Sequence, residues 1–424
     1  MEVKEPNAKY LANDAPRVTE AGVLPADWSA VALSDLLSSK QLGGNYKNSS
    51  NETAWPLIKM GNLGRGRLNC ENIEFIQSAT APAERDCLQF DDVLFNTRNT
   101  LDLVGKVAIW RNERPKAYFN SNIMRMRFDP QQVGSNAYMN YVLNTHRAVA
   151  SFRAIATGTT SVAAIYSRDF SNVFLPIPSH LEEQRSIAKA LTETDTLIDS
   201  LEQLLTKKRQ IKQGAMQELL TGKRRLPGCD RPWTTQPFGS IASASRERVS
   251  PSLMATPPRC LELEHLQSGT GQLVGTGFES QQAATKSVFR QGDVLFGKLR
   301  AYLRKYWLAE FGGVCSTEIW VLRPTGELTS SKYLFYTVQR DDFIEAASSA
   351  YGTHMPRSDW KVVAEFYVRF PRDPAEQEAI AQVLSDMDTD IAALEARLTK
   401  ARALKQAMAQ ALLSGRIRLM APQA

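Results

Sequence analysis

The sequence predicts an α+β chain in which two similar globular α/β domains are separated by two long helices. The helices pair as a coiled coil, and the whole carries an internal repeat. Three observations lead there. Residues Pro178 to Leu226 recur as Pro371 to Leu419 at a constant offset of 193 with no gap. Both copies carry apolar residues at alternating spacings of four and three, the heptad seam of a coiled coil. The intervals 28–178 and 227–371 run through the same order of short apolar runs and turns, and share Asp-Val-Leu-Phe at 92–95 and 293–296. A long internal repeat sets the architecture before any single residue does.

In chain order, residues 1–23 read as a polar N-terminal arm with Pro6 and Pro16, and folded structure is expected from Leu24-Pro25-Ala26-Asp27-Trp28. Residues 24–178 form the first globular domain. Leu57 to Met60 lead into a glycine-rich turn, 61–67, that carries Arg65 and Arg67. Strands are expected at 92–95 and 106–110, one helix over 137–153, and a Thr-rich loop at 156–161.

Residues 179–224 form the first spacer helix, with Ile187, Leu191, Ile198, Leu201 and Leu205 on its seam. Ser179 with Glu182 spells a capping box, and Gly222 stands where a left-handed C-terminal residue is wanted. Roughly 42 residues at 1.5 Å each make a helix about 60 Å long. Lys208 falls on the seam, where it either sets register or extends its amine to solvent.

Residues 225–371 form the second globular domain. Pro232-Trp233 answers Asp27-Trp28, 260–264 with the turn near Ser268 answers 57–67, a helix at 331–348 answers 137–153, and 351–354 answers 158–160. The offsets drift across these matches, so the domains share a plan while their loops differ. Residues 372–419 form the second spacer helix, with seam residues Ile380, Leu384, Ile391, Leu394 and Leu398, an Asp373-Pro374-Glu376 start and a Gly415 stop; 420–424 is a tail.

Charge is nearly balanced, 51 basic against 45 acidic residues, which excludes a purely electrostatic binder and leaves room for local basic patches. Two such patches follow the shared Asp-Val-Leu-Phe. Residues 98–127 hold seven Lys or Arg against two acids, and 286–305 hold six against one. Either alone reads as a solvated face. Two at equivalent points of a repeat point to nucleic acid, with Arg and Lys on phosphates and Arg, Asn, Gln, Ser and Thr available to base edges. The candidate contacts are Arg65, Arg67, Arg98, Asn99, Lys106, Thr159 and Thr160 in the first domain. In the second they are His265, Lys298, Arg300, Arg304, His354 and Arg357. A satisfied structural imidazole is the competing reading of His265 and His354.

Catalytic signatures are missing. There is no (N/D)-P-P-(Y/F) loop for a flipped adenine, no G-x-x-x-x-G-K-(S/T) and no H-E-x-x-H. Val274-Gly275-Thr276-Gly277-Phe278 is only faintly like a phosphate-cradling loop. The five cysteines are odd in number, scattered and without C-x-x-C, so they read as reduced thiols with no zinc site. No apolar run reaches about 18 residues, and the N-terminus lacks a signal peptide's apolar core.

Leu181-Glu182-Glu183-Gln184-Arg185, Lys207 to Gly214 and Met216 to Lys223 closely resemble the specificity (S) subunit of type I restriction–modification systems. Gly292 to Phe296 and Gly352 to Pro356 resemble that family's target-recognition domains. The resemblance covers the chain from Leu24 onward. The first domain departs from it in having Asp91 where the second has Gly292, and Thr159-Thr160-Ser161 where the second has Thr353-His354-Met355. The resemblance implies a non-catalytic, cytoplasmic subunit of a bacterium or archaeon whose two domains each read half of a bipartite, asymmetric site in double-stranded DNA. It implies that the two helices form an antiparallel coiled coil, with the domains related by a pseudo-twofold and half-sites about one helical turn apart, spaced by the helices. Two modification subunits would dock on those helices and methylate adenine N6, joined by restriction/motor subunits. S-adenosylmethionine, ATP and Mg would sit on the partners, and this chain would hold no cofactor and no metal. A coiled-coil adaptor binding only protein, and a self-contained methyltransferase or nuclease, are the alternatives.

Overall fold

The computed structural model describes residues 16–77, 81–159, 161–250, 258–278, 285–349 and 356–419. It is α+β, and its longest elements are two helices of 39 residues each, Leu181–Leu219 and Pro374–Leu412. The chain divides into two compact units, residues 1–200 with 398–424 and residues 201–397. Each long helix therefore contributes residues to both units. The physical reason is that the helix ends are core. Ile187, Ala188 and Leu191 share one hydrophobic cluster with Trp28, Phe95, Leu412 and Leu413. Met216, Leu219 and Leu220 share another with Phe238, Ile380, Ala381 and Leu384.

In the first unit an antiparallel sheet runs in the order Val107–Ile109, Val93–Asn96, Ile123–Phe128, Leu37–Leu42. A second sheet joins Tyr118–Phe119 in parallel to Pro56–Ile58 and continues through Glu74–Ile76 to Asn48–Ser49. Trp28–Ala32 pairs with Phe174–Pro178, the strand that leads into the first long helix. The helix expected over 137–153 is two helices, Asn136–Leu143 and His146–Ile155. The break is made by local chemistry. The Thr145 hydroxyl accepts from the Ala148 N–H as an N-cap, and the Asn144 amide donates to the carbonyls of Asn140 at 2.8 Å and Val107 at 3.1 Å. Within the expected loose arm, Arg17–Thr19 and Gly22–Leu24 form a hairpin.

The second unit repeats this plan. Its antiparallel sheet runs Ala242–Ala244, Ile319–Pro324, Val294–Gly297, Tyr306–Leu308. Arg259–Leu261 pairs in parallel with Gly313–Cys315, as Pro56–Ile58 does with Tyr118–Phe119. Trp233–Pro237 pairs with Tyr367–Pro371 ahead of the second long helix. The helix expected over 331–348 is again two, Ser331–Thr337 and Asp341–Ser348.

The start and stop signals fare differently. Gly222 and Gly415 are left-handed, at φ +70° and +69°. A side chain at either would also collide, with the Trp233 ring at 3.0 Å and with Pro25 at 2.5 Å. Asp373 caps the second helix by accepting from the Ala375 N–H at 3.1 Å. The capping box at Ser179 and Glu182 does not form, because the Ser179 hydroxyl donates to the Asp27 carbonyl and Glu182 pairs with Arg185.

Candidate nucleic-acid interface

Each unit seats its domain on the long helices with the same set of side chains. In the first, Lys405 meets Asp195 at 2.5 Å. Tyr141 donates to Asp195 at 2.7 Å, with Lys405 lying 5.9 Å from the Tyr141 ring centre. In the second, Lys212 meets Asp388 at 2.5 Å, Tyr336 donates to Asp388 at 2.9 Å, and Lys212 lies 5.7 Å from the Tyr336 ring. Farther along, Arg418 binds Asp27 and Glu183, while Trp28 Nε1 donates to Glu183 at 3.3 Å. Arg225 and Trp233 bind Glu376 in the same way. Going from 183 to 195 on one helix goes from 418, just past the end of its neighbour, back to 405 on it, so the segments in this unit are antiparallel. The second unit repeats it from 376 and 225 to 388 and 212.

The seam residues Ile187, Leu191, Ile198, Leu201, Leu205, Ile380, Leu384, Ile391 and Leu398 are buried, and Leu394 is half-buried. Lys208 bonds Asp390 at 2.8 Å at the edge of the seam.

Above these seats lie the basic segments, and most of their charge is already spoken for. Of the seven cations in 98–127, Arg125 is buried against Asp92 at 3.0 Å and the carbonyls of Cys87 and Arg85. A buried pair of this kind is architectural. Arg111 pairs with Asp91, Lys116 with Glu84, and Arg114 and Arg127 bond Cys70 and Gln89. Arg98 and Lys106 have no side-chain partner among the described residues. In 286–305, Lys286 pairs with Glu262, Arg290 with Glu247 and Arg304 with Asp341, and Lys305 donates to the Leu263 carbonyl. Lys298 and Arg300 are left without a side-chain partner among the described residues. Arg98 thus sits just after the shared Asp-Val-Leu-Phe strand, as Lys298 and Arg300 do in the second unit, while Lys106 ends its loop at the place of the committed Lys305.

That loop lies beside the segment preceding the long helix in both units. In the first, Arg98–Asn99 pairs with Ala163–Ala164, which pairs with Thr157–Gly158, so Arg98 and Asn99 share one small sheet with the strand that leads into Thr159. The Thr159 hydroxyl accepts from the Val162 N–H and closes the turn. In the second, Leu299 bridges to Arg357, and Lys298 O accepts from the Ser358 N–H at 2.9 Å.

Several candidates are placed elsewhere or are committed. Arg65 and Arg67 line a separate cleft of about 1040 Å³, with Asn140 and Arg147. Arg67 pairs there with Asp199 at 3.1 Å, and burial together with neighbouring Arg153 pulls the Arg65 guanidinium below its usual value. Arg304 and Arg357 are held by Asp341 and by Glu318. His265 Nδ1 accepts from the Glu262 N–H at 2.9 Å and caps its own turn, the structural role that competes with DNA contact. Thr160 and His354 lie outside the described residues. The neutralising acids Glu247, Glu262 and Asp341 come from distant segments, which no spacing rule connects to the basic run. Of the loop 274–278, Gly277–Phe278 is a strand paired with Arg259 and Cys260. Among the described residues no group of three His, Cys, Asp or Glu could hold a metal ion, and no helix is long and apolar enough to cross a membrane.

Comparison with known proteins bears on this arrangement. The chain matches the model of the type I restriction modification DNA specificity domain over residues 25–213 and 269–402. It is similar to the type I restriction enzyme MjaVIII specificity subunit of Methanocaldococcus jannaschii, 25% identical over 49% of each chain. It is also similar to the EcoDI specificity subunit of Escherichia coli, 27% identical over 38% of this chain and 36% of that one. The chain spans about half the length, or less, of the curated relatives it matches. In fold it resembles the crystal structure of the type I restriction–modification system S subunit from M. genitalium, with TM-score 0.58 and 14% identity over 94% of this chain and 99% of that one. A chain from a structure concerned with complex assembly and conformational transition of the type I system matches at TM-score 0.52 and 16% identity, over 92% and 99%.

Proposed function

We propose, from the premise that the chain belongs to the type I restriction–modification DNA specificity family, that it is the subunit that reads DNA sequence for such a complex. Each globular domain reads one half of a bipartite, asymmetric duplex site. The two long helices set the unread spacer between the halves and dock two modification subunits, which carry S-adenosylmethionine and methylate adenine N6. Restriction/motor subunits, with ATP and Mg, cleave DNA that lacks the mark. The chain itself is non-catalytic and works in the cytoplasm of a bacterium or archaeon.

The observation that carries this reading is unpartnered positive charge just after the shared strand, Arg98 in one unit and Lys298 and Arg300 in the other, on two loops that otherwise differ. Residues 97–106 and 298–305 connect equivalent strands, yet share neither length nor sequence. A common scaffold with free positive charge suits the phosphate backbone, and divergent side chains on it suit two different half-sites. Docking has its own support. Ile211 and Leu404 occupy the same position of the helix repeat, and each is exposed, at 48% and 60%. Large apolar residues left in water at two equivalent points favour two copies of one partner.

The test is reconstitution. The chain purified with a modification subunit should methylate duplex DNA at a split, asymmetric sequence and protect it there. Methylation without sequence preference would contradict the reading. A complex in which the chain binds its protein partners but no duplex at any salt concentration would favour the adaptor instead.

A further inference from the structure

The loop from Lys298 to Lys305 in the second unit is held in a conformation its sequence does not favour. Arg300 (φ 55°, ψ 59°) and Arg304 (φ 53°, ψ 50°) are both left-handed, a region that residues with a Cβ other than Asn and Asp seldom enter. At the matching place in the first unit, before the strand that answers Tyr306–Leu308, stands Gly105 at φ +74°. Glycine fits there without strain, so the arginine is kept for the shape and the ties it provides.

Those ties are numerous. The Arg300 N–H donates to Pro356 O at 2.9 Å, and Gly269 N–H to Arg304 O at 2.8 Å. The Arg304 guanidinium binds Asp341 and donates to Gln339 O at 3.3 Å, while Asp341 also accepts from Gln213 and Gln217 of the long helix. Buried Ala301 roots the arch in the core. Its crest is Tyr302, 54% exposed, next to Leu303, 37% exposed. Among the described residues the Tyr302 ring has no hydrogen-bond, ring or cation partner, and the free cations Lys298 and Arg300 precede it in the same loop.

A flat apolar ring fixed at the top of a braced loop, flanked by two uncommitted cations, has the make-up of a base-stacking contact. The cations meet phosphates, and the ring meets the face of a base. We infer that Tyr302 is a specificity-determining wedge, which stacks on a base of the half-site read by residues 225–371 and opens the stack there. Pyrimidine–purine steps unstack most easily, so the wedge favours one at that point without any base-edge hydrogen bond. This inference rests on the DNA-reading function proposed above.

The experiment uses the full chain assembled with its modification subunits and duplexes carrying the mapped site, with 2-aminopurine placed in turn along the second domain's half-site. The wild type should raise the fluorescence at one step, and Tyr302→Phe should do the same. Tyr302→Ala should lose the rise and bind the site about tenfold more weakly or worse, with an unchanged salt dependence and an intact preference for the half-site read by residues 24–178. Since Tyr302 is exposed, the Ala variant should melt with the wild type. Equal binding by the Ala variant, a uniform loss on every duplex, or a Phe variant as defective as Ala would overturn the wedge alone. A wild-type complex with no sequence preference would remove the function on which the wedge depends.

Discussion

Tyr138 and Tyr333 stand at matching places of the repeat and are both fully buried, but their hydroxyls meet different fates. Tyr138 donates to Pro176 O at 2.9 Å. The counterpart carbonyl, Arg369 O, is taken by Arg340 Nη1 at 3.3 Å, and the Tyr333 hydroxyl has no hydrogen-bond partner among the described residues. A buried hydroxyl without a partner costs stability, and a satisfied one contributes about 1 kcal/mol. Tyr138→Phe should therefore lower stability by about 1–2 kcal/mol, while Tyr333→Phe should leave it unchanged or raise it by up to about 1 kcal/mol. Denaturant midpoints of the two variants measure this, and equal losses would contradict it.

Arg418 gives the sharper case, since it neutralises Glu183, whose side chain is 1% exposed. Arg418→Ala strands that carboxylate and should cost about 3 kcal/mol or more, partly restored by adding Glu183→Gln. The same guanidinium, by hydrogen bond and charge, holds the Asp27 carboxyl below its usual range. A depressed carboxyl stabilises the fold fully above its unfolded pKa, near 3.9, and ceases to as pH falls through the folded value. Urea titrations should show wild type losing this advantage over the Ala variant below about pH 4, and keeping it at pH 7.

At the scale of elements, the two long helices were the most legible part of the chain. Their ungapped repeat predicts equal lengths, and Gly222 and Gly415 mark their ends because each must be left-handed with no room for a Cβ. What the helices touch was less legible. Heptad spacing reads Ile187 and Ile380 as helix-pairing residues, yet both sit in clusters with domain side chains such as Phe95 and Phe238. Periodicity reports that a face is buried, not against what. Nor does a run of Arg and Lys disclose that Arg125 and Lys286 are balanced by Asp92 and Glu262. Only folding separates these from Arg98, Lys106, Lys298 and Arg300. Tyr302 carried no pattern in the sequence, because its exposure and the left-handed turns at Arg300 and Arg304 that present it are properties of the folded loop.

The exposed pair Ile211 and Leu404 gives this scale its prediction. Ile211→Glu should remove one of the two modification subunits, Leu404→Glu the other, and both together leave the chain folded but alone. Native mass spectrometry of the assembled complex reads the count directly, and full assembly by the double variant would contradict the docking role.

For the whole molecule, the account is that one scaffold occurs twice, with different reading loops on a shared helical spacer. The ion pairs that seat the domains fall at Asp195 and Lys212 on one helix and at Asp388 and Lys405 on the other, the same number of residues apart. Removing Thr196–Glu202 together with its counterpart Thr389–Glu395 takes a heptad from both helices and preserves those pairs. Seven residues are about 10 Å of helix, or about three base pairs of DNA. Mapping methylated adenines across a genome exposed to the wild-type or the shortened chain, each with modification subunits, tests this most directly. The account predicts the same two half-sites in both maps, with an unread spacer about three base pairs shorter in the second. An unchanged spacer, or a change in either half-site sequence, would contradict it.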